Sequence, residues 1–368
     1  MPDIYDYLIV GCGFTGATLA ERIASQLNAS VLIIEKRNHS GGLAYDYVDT
    51  NGIIVGKYGA HIFHTNNEIV WKYVNRFAEF NNYVHLADAF FQGRFFALPL
   101  NLDTINDFFG KQMSAAELPL FLETIREPIA YPENAEEAVI SKVGWDLYEA
   151  FYRNYTKKQW GMDPKDLDAS VTMRLPIRMN NDKRYFADQW QGIPKEGFAR
   201  LFERMLDNKN IYILLNTEYK EALKGIRFNK LIYTGPIDAY FDYVLGKLPY
   251  RSIDFRFEAI NREYFQHRGI VNYPNDHEYT RCVEYKWLYQ QKSMQTTVSR
   301  EYPCWNDKEP YYPVPSPENR EMYRRYRELA DRTTNTIFCG RLGNYEYYNM
   351  DQCIAQALML FETVIARS

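Results

Sequence analysis

The sequence predicts an α/β protein with a Rossmann-like dinucleotide-binding domain, an inserted helical domain and a domain built on an antiparallel sheet. Three observations predict this class: a glycine-rich turn near the start, an apolar stripe at helical spacing in the middle, and aromatic and β-branched runs near residues 89 and 251. A chain of 368 residues exceeds what one hydrophobic core usually fills, so several structural units are expected.

The start of the chain reads as a β-strand, an α-helix and a second strand. Residues 5–10 are short, apolar and β-rich, residues 15–26 carry apolar side chains at helical spacing, and "SVLIIEKR" from Ser30 is a second buried run. Two later runs, "KLIYTGP" from Lys230 and "NTIFCGR" from Asn335, share this character. They predict that one parallel sheet draws its strands from both ends and the middle of the chain.

A helical region and an antiparallel sheet are expected between these strands. Val139, Val143, Leu147, Phe151 and Tyr155 repeat every four residues and predict an inward-facing helical stripe. The runs "AFFQGRFFALPL" and "RSIDFRFEAI" are typical of antiparallel strands. The predicted division is a dinucleotide-binding domain of residues 1–85, 195–235 and 315–368, a helical domain of 103–180, and a sheet domain of 86–102, 181–194 and 236–314.

Composition excludes several classes of function. A formal net charge of −4 does not favour binding to nucleic acid or to an anionic membrane, and no apolar stretch reaches the roughly 20 residues of a membrane span. The start of the chain lacks a secretory pattern, so a cytoplasmic location is expected. Five cysteines without a CxxC spacing argue against a disulfide-reducing enzyme. His61 and His64 have no nearby carboxylate or thiol in the sequence, so no metal site is expected.

The glycine-rich turn predicts a dinucleotide. Gly11, Gly13 and Gly16 form G-x-G-x-x-G between a strand and a helix, where glycine permits a tight turn and close approach of a pyrophosphate to the helix N-terminus. Glu35 ends the next strand about 20 residues on, where a carboxylate accepts hydrogen bonds from ribose hydroxyls.

Two further features favour FAD over NAD. Arg37 followed by Gly41 and Gly42, in "EKRNHSGG", is similar to the extension found in FAD proteins of the glutathione-reductase type. Near the end of the chain a helix is predicted to begin at Asp351, and its positive N-terminal end suits an anionic reduced flavin. The first domain is therefore predicted to be an FAD-binding domain.

The chain resembles the prokaryotic UDP-galactopyranose mutase family over nearly its whole length. Besides the glycine-rich segments, the resemblance rests on short stretches in family order, which are "YGAHIFHT" at Tyr58, "YTKKQWG" at Tyr155, "RLPIR" at Arg174, "YF" at Tyr185, "QGIP" at Gln191, "IYTGPID" at Ile232, "YTR" at Tyr279, "EPYYPV" at Glu309 and "GRLGNYEYYNMD" at Gly340.

The resemblance implies an isomerase that interconverts UDP-galactopyranose and UDP-galactofuranose with no net redox change. In this family the N5 atom of reduced FAD is thought to form a covalent adduct with the sugar while UDP leaves and returns. The resemblance also implies NAD(P)H or another reductant to activate the flavin, a homodimer, and a role in making cell-surface polysaccharide.

The resemblance assigns the expected site residues. Arg174 and Arg281 match the pair of arginines that binds the diphosphate, and His61 is placed beside the flavin. The expected substrate-binding residues are Phe151, Tyr155, Thr156, Trp160, Tyr185, Asn272, Tyr312, Tyr347 and Asn349. The expected cofactor-binding residues are Gly11, Gly13, Phe14, Gly16, Glu35, Lys36, Arg37, Gly42, Ala60, His61, Ile62, Gly235, Arg341, Met350 and Asp351.

Several alternatives stay open at this point. Asn349 stands where close relatives commonly carry an aspartate, so UDP-N-acetylgalactosamine or a related sugar nucleotide is an alternative substrate. Phe151 fits either a wall of the uridine pocket or simple core packing. A flavin oxidoreductase of the amine-oxidase type and a non-catalytic nucleotide-sugar binding protein are the competing functions. A lid is expected around "YTKKQWGMDPKDLDAS", with Gly161 and Pro164 interrupting the helix.

Overall fold

A computed structural model describes residues 2–172, 176–305 and 309–367. In chain order, the strands of these residues are β1 (Tyr5–Val10), β2 (Val31–Ile34), β3 (Asp46–Val48), β4 (Ile54–Gly56), β5 (Phe63–Thr65), β6 (Ala87–Phe91), β7 (Arg94–Leu98), β8 (Trp190–Gly192), β9 (Ile211–Leu214), β10 (Phe228–Tyr233), β11 (Tyr250–Ile260), β12 (Ile270–Asn272), β13 (Arg281–Glu284), β14 (Thr296–Trp305), β15 (Tyr312–Pro313) and β16 (Thr336–Phe338).

The α-helices of the same residues are α1 (Phe14–Gln26), α2 (Glu68–Val74), α3 (Leu102–Phe109), α4 (Glu117–Ile125), α5 (Ala135–Leu147), α6 (Arg153–Trp160), α7 (Phe198–Met205), α8 (Tyr219–Ala222), α9 (Ile237–Tyr240), α10 (Tyr285–Tyr289), α11 (Pro317–Asp331), α12 (Gly340–Gly343) and α13 (Met350–Leu360). Single π-turns continue α5 over Tyr148–Tyr152 and α13 over Phe361–Ile365.

A five-stranded parallel sheet with the order β16-β10-β1-β2-β9 forms the first layer. Ile9 of β1 pairs with Ile33 and Ile232, and all three side chains lie in one buried cluster, whereas their neighbour Leu8 lies in a cluster on the opposite face. Both faces are therefore covered, which explains why these strands are continuously apolar. The strands expected from "KLIYTGP" and "NTIFCGR" are confirmed, and β9 is an additional strand that the sequence pattern did not reveal.

The second sheet has seven strands in the order β15-β11-β14-β13-β12-β6-β7. Its pairs are antiparallel except β12 with β6, which run parallel. The run "AFFQGRFFALPL" folds into the β6-β7 hairpin, whose turn residues Gln92 and Gly93 both have positive φ. The expected antiparallel unit is thus present, although β8 pairs with β5 rather than with this sheet.

The helical stripe predicted in the middle of the chain is buried, but the helix is not continuous. Val139, Val143, Leu147 and Phe151 are each at most 5% exposed and pack in a cluster with residues of α3 and α4. Gly144 interrupts α5 with a φ of 75°, and a Cβ atom there would lie 2.2 Å from the carbonyl oxygen of Ile125. The close approach of α4 requires glycine at this position.

The N-cap of the last helix lies two residues earlier in the chain than the sequence predicts. Asn349, not Asp351, is the N-cap of α13, and its backbone N–H donates to the side chain of Gln352 at 2.8 Å in a capping box. Asp351 lies in the first turn instead. Ile354 of α13 is fully buried, and Phe361 and Ile365 of the π-turn that follows continue this buried face.

The predicted α/β class is confirmed by these two sheets and their helices. The residue boundaries of the three domains stay a prediction. In the described ranges no helix combines the length and the apolar content that crossing a membrane demands.

Candidate active site

The turn after β1 has the close backbone contacts that the glycine motif predicts. A Cβ atom on Gly11 would lie 2.2 Å from Oγ1 of Thr234, and one on Gly16 would lie 2.1 Å from the carbonyl oxygen of Gly11. Gly42 approaches Gly13 so closely that its Cβ would lie 3.0 Å from the Gly13 Cα. The glycines therefore bring two backbone segments together at the N-terminus of α1, where amide donors suit a pyrophosphate.

Glu35 lies at the end of β2 and is held by this turn. Its Oε2 accepts a hydrogen bond from the backbone N–H of Cys12 at 2.9 Å, and its Oε1 accepts one from the N–H of Arg37, also at 2.9 Å. Arg37 bridges Glu35 and Glu309, whereas its Nε is buried without a hydrogen-bond partner. A carboxylate and a partly satisfied guanidinium thus face the position expected for a ribose and a phosphate.

A large cleft with a volume of about 630 Å³ extends from the glycine turn to the N-terminus of α13. Most of the predicted cofactor residues line it, namely Gly11, Gly13, Phe14, Gly16, Glu35, Lys36, Arg37, Gly42, His61, Gly235, Arg341 and Met350. The others do not: Ile62 is 8% exposed and packs in the core, Ala60 packs against the same core, and Asp351 accepts a hydrogen bond from Thr65 at 2.9 Å.

His61 lies on the wall of this cleft with a defined tautomer. Its Nδ1–H donates to the carbonyl oxygen of Gly59 at 3.1 Å, which leaves Nε2 unprotonated. Burial lowers the pKa of His61 to about 4, and the charge of Arg341 adds to this effect. His61 is therefore a neutral hydrogen-bond acceptor at neutral pH.

A smaller pocket of about 90 Å³ lies between α6 and the second sheet. Six of the predicted substrate residues line it, namely Phe151, Tyr155, Thr156, Trp160, Tyr185 and Asn272. Asn272 is 5% exposed and donates to the carbonyl oxygen of Asp88 at 3.2 Å, so its amide is held in a fixed orientation. The flat, mostly apolar walls suit the faces of a nucleobase.

Phe151 packs in the helical core and also lines the small pocket, and its contact with a uridine stays a prediction. Its ring centroid lies 5.4 Å from that of Phe96 and 5.5 Å from that of Phe108, inside the helical core, and another face of the ring reaches the small pocket. Core packing thus holds the wall of the pocket rigid.

Arg281 contacts Tyr155, which lines the small pocket. Its guanidinium donates to the hydroxyl of Tyr155 at 2.7 Å, and its Nε lies 3.4 Å from Oε2 of Glu301 without a hydrogen bond of its own. The Glu301 carboxylate is buried, whereas the side chain of Arg281 is 29% exposed. The hydroxyl of Tyr155 and the carboxylate of Glu301 raise the pKa of Arg281 well above the usual value. A fixed cation with an unsatisfied N–H is therefore available for an anion.

Tyr312 and Tyr347 lie between Trp160 of the small pocket and Arg341 of the large cleft. Their rings are stacked with centroids 5.3 Å apart, and the guanidinium of Arg341 lies over both. The ring of Trp160, which lines the small pocket, lies 6.4 Å from Tyr312. The two pockets are thus joined by one arginine and a row of aromatic side chains.

Besides Ala60, Ile62 and Asp351, four predicted residues of the described ranges line neither pocket, namely Arg281, Tyr312, Tyr347 and Asn349. Arg174 lies outside the described residues. Asn349 is the N-cap of α13, and its expected contact with the substrate stays a prediction.

The large cleft fits a dinucleotide that carries a flavin. The cradle of glycines, Glu35 and the N-terminus of α1 suit its adenosine and pyrophosphate, and the Nε of Arg341 is buried without a hydrogen-bond partner at the opposite end. The N-terminus of α13 also lies at that end, since Met350 lines the cleft. Such a terminus stabilises an anionic ring.

Comparisons with known proteins agree with this geometry. The profile of the UDP-galactopyranose mutase family matches residues 150–347, and a profile described as an NAD(P)-binding Rossmann-like domain matches residues 9–77. A probable UDP-galactopyranose mutase of Klebsiella pneumoniae is 41% identical over 357 residues, which cover 95% of this chain and 92% of the relative. The chain belongs to the UDP-galactopyranose mutase family.

One further relative and one solved structure extend the comparison. A dTDP-fucopyranose mutase of Escherichia coli is 38% identical over 362 residues, covering 95% of this chain and 96% of the relative. The crystal structure of a reduced UDP-galactopyranose mutase has a TM-score of 0.79 at 16% identity, covering 99% of this chain and 96% of that one, and thus shares its fold. The family resemblance seen in the sequence is confirmed.

Several residues of the site escaped the sequence analysis. Glu301, beside Arg281, and Tyr152, Gln159 and Thr172 of the small pocket were not expected there. Their neighbours in space come from other parts of the chain, so no local pattern marks them. In residues 2–172, 176–305 and 309–367, no cluster of three His, Cys, Asp or Glu side chains has the arrangement of a metal site.

Proposed function

We propose that this protein is an isomerase that interconverts UDP-galactopyranose and UDP-galactofuranose with no net redox change. The observation that carries the proposal is that Trp160, Tyr312 and Arg341 lead from the small pocket to the dinucleotide-sized cleft. The cation of Arg281 lies beside the small pocket, on the hydroxyl of Tyr155. A UDP-sugar that spans the two would place its base in the small pocket, its diphosphate at Arg281 and its sugar at the cleft.

FAD is the cofactor. Gly11, Gly13 and Gly16 would hold its pyrophosphate, Glu35 its ribose, and the segment at His61 with Arg341 its ring. When bound and reduced, FAD supplies a nucleophilic ring nitrogen for the anomeric carbon of the sugar.

The chain's own contribution is to bind and stabilise the departing diphosphate. Arg281 and the hydroxyl of Tyr155 would hold phosphate oxygens, and the hydroxyls of Tyr312 and Tyr347 would add hydrogen bonds without further charge. Because the side chain of Arg281 is only 29% exposed, its attraction for the diphosphate is screened less than that of a fully exposed cation. These contacts keep the leaving group close for its return.

His61 and Trp160 would position the sugar between these groups. His61 is neutral and offers an acceptor at Nε2, so it can receive a hydrogen bond from a sugar hydroxyl. Trp160 closes the side of the small pocket toward Tyr312 and would exclude water from the reacting centre.

The test is an isomerisation assay with dithionite-reduced protein. UDP-galactofuranose should form from UDP-galactopyranose without consumption of the reductant, and Arg281→Ala should abolish this activity while the absorbance of bound FAD persists. Arg174→Ala is expected to behave in the same way. Arg300→Ala is the control, since Arg300 lies on the same sheet but pairs with the half-exposed Glu258. Turnover of an amine by the oxidised protein would instead support an oxidase.

The identity of the sugar nucleotide needs its own measurement. The E. coli relative is named for a dTDP-sugar, which supports the view that base and sugar vary among similar chains. UDP-galactose, UDP-N-acetylgalactosamine and dTDP-fucose should therefore be compared by chromatography of the products at equal concentrations. UDP-galactose is expected to react fastest.

We further propose that NAD(P)H reduces the flavin and that the protein is a cytoplasmic homodimer. These proposals come from the family resemblance. Anaerobic reduction of the bound flavin by NADH or NADPH tests the first, and the mass of the holoprotein in solution tests the oligomeric state.

A further inference from the structure

Arg251 is the largest side chain that is almost fully buried, with 2% of its surface exposed. In the described part of the chain no carboxylate pairs with its guanidinium, and burial lowers its pKa. A buried cation without a counter-ion costs stability. The hydrogen bonds of such a group can hold buried backbone carbonyls in place, which an apolar side chain cannot do.

The hydrogen bonds of Arg251 go to the end of α6. Its Nε donates to the carbonyl oxygen of Gln159 at 2.9 Å, and its Nη2 donates to that of Lys158 at 3.0 Å. These carbonyls belong to the last turn of the helix, where they have no helical partner and where the dipole favours a cation. Trp160, the next residue, forms a wall of the small pocket.

The face of the guanidinium lies on Trp305, with its central carbon 4.6 Å from the centroid of the ring. Gly161 fits against both groups: a Cβ atom there would lie 2.8 Å from Nε1 of Trp305 and 2.9 Å from Nη1 of Arg251. With a φ of 67°, Gly161 ends α6 in the left-handed region. The turn that follows Trp160 is thus packed directly on Arg251.

The backbone of Arg251 is paired with the opposite wall of the site. Arg251 lies opposite Tyr312 in the β11-β15 pair, and its carbonyl oxygen accepts a hydrogen bond from the N–H of Tyr311 at 3.0 Å. Tyr312 in turn faces Trp160 across 6.4 Å. One residue therefore contacts the segments that carry both aromatic walls, by its side chain on one side and its backbone on the other.

We propose that Arg251 is a positioning residue that sets the separation between Trp160 and Tyr312 and thereby the affinity for the nucleotide part of the substrate. It acts through the last turn of α6 and does not touch substrate or cofactor itself. The inference rests on the proposed function for the identity of the ligand, but the arrangement of the two walls does not depend on it.

Lysine at this position keeps the charge and can donate to the carbonyls, but its ammonium lacks the planar fork that bonds both carbonyls while lying flat on the ring of Trp305. We expect Arg251→Lys to retain FAD and to bind UDP about tenfold more weakly, with KM raised to match and kcat changed less. Trp305→Phe, which removes the indole N–H at a half-exposed position, should weaken UDP binding in the same direction. UDP affinity is measured by calorimetry on the holoprotein, together with FAD content and the thermal unfolding midpoint.

Arg256→Lys is the matched control, since Arg256 lies on the same strand with its side chain exposed over Tyr302. It should bind UDP like the wild type. Arg251→Lys that holds FAD and binds UDP within about twofold of the wild type would overturn the proposal, even if its unfolding midpoint falls. If Arg251→Lys does not fold, unchanged UDP affinity in Trp305→Phe overturns it. Wild-type protein that binds UDP but does not isomerise UDP-galactopyranose contradicts the proposed function alone.

Discussion

Glu301 lies against Arg281 in the second sheet, with its Oε2 3.4 Å from the Nε of the arginine. Glu301 is buried, and the side chain of Arg281 is 29% exposed. Glu301 offsets the charge of Arg281 before a ligand arrives. A phosphate that binds Arg281 must therefore compete with the carboxylate of Glu301. The charge at Glu301 should thus set the affinity of this site for an anion.

Glu301→Gln should destabilise the free protein and strengthen UDP binding. The amide keeps the shape of the side chain but removes the charge that offsets Arg281, and breaking this partly buried pair should cost less than breaking a fully buried one, which costs about 3–5 kcal/mol. Thermal unfolding with and without UDP measures both effects, because the ligand should restore part of the lost stability. Glu258→Gln is the control, since its pair with Arg300 is half exposed and contributes only about 0–1 kcal/mol. Weaker UDP binding in Glu301→Gln would contradict this account.

Gly16→Ala should prevent FAD binding. The new Cβ would lie 2.1 Å from the carbonyl oxygen of Gly11 and 3.2 Å from a methyl group of Ile9, so the glycine turn has to move. The ratio of flavin to protein absorbance after purification is the measurement. Gly225→Ala, with no atom within 4 Å of its Cβ, should retain FAD fully. Equal flavin content in both variants would argue against the assigned cradle.

His85 should make the protein less stable in acid. Burial lowers its pKa to about 3, with Arg281 and His64 adding to the effect, whereas an unfolded histidine takes up a proton near pH 6.5. The unfolded state therefore binds more protons between these values, and the free energy of unfolding falls as the pH falls from about 6.5 toward 3, by up to about 1.4 kcal/mol per pH unit for one histidine.

Urea unfolding between pH 4.5 and 7 tests this prediction. The free energy of unfolding should change less steeply with pH in His85→Gln than in the wild type. Some dependence should remain, because His61 has a similarly lowered pKa of about 4. His277→Gln, at an exposed position, should keep the slope of the wild type. A slope that is unchanged in His85→Gln would show that His85 is not the group that takes up the proton.

Trp160 should report the binding of UDP. Its ring lines the small pocket and faces Tyr312, so a nucleotide there changes its surroundings. We expect UDP to change the tryptophan fluorescence of the wild type and of Trp145→Phe, whose indole lies half-exposed in the helical region, but not that of Trp160→Phe. A full response in Trp160→Phe, with UDP bound, would contradict the position assigned to the base.

Local patterns were sufficient for the parts of the fold that depend on nearby residues. The glycine turn, the first strand–helix–strand unit and the inward stripe of α5 follow from spacings of a few residues, and each is found in the structure. The pattern failed where a distant contact decides the local geometry. Gly144 interrupts α5 because the carbonyl of Ile125 lies where a Cβ would be, and that neighbour is 19 positions away.

The sequence by itself determined the fold class, the family and the residue types that meet a dinucleotide, since these depend on short motifs whose backbone demands are local. Only the tertiary structure decided which charges share one environment: that Glu301 offsets Arg281, that His61 stays neutral, and that Arg251 is buried against the last turn of α6. Desolvation and Coulomb interaction depend on distance in space, and strands far apart in the chain bring these groups together.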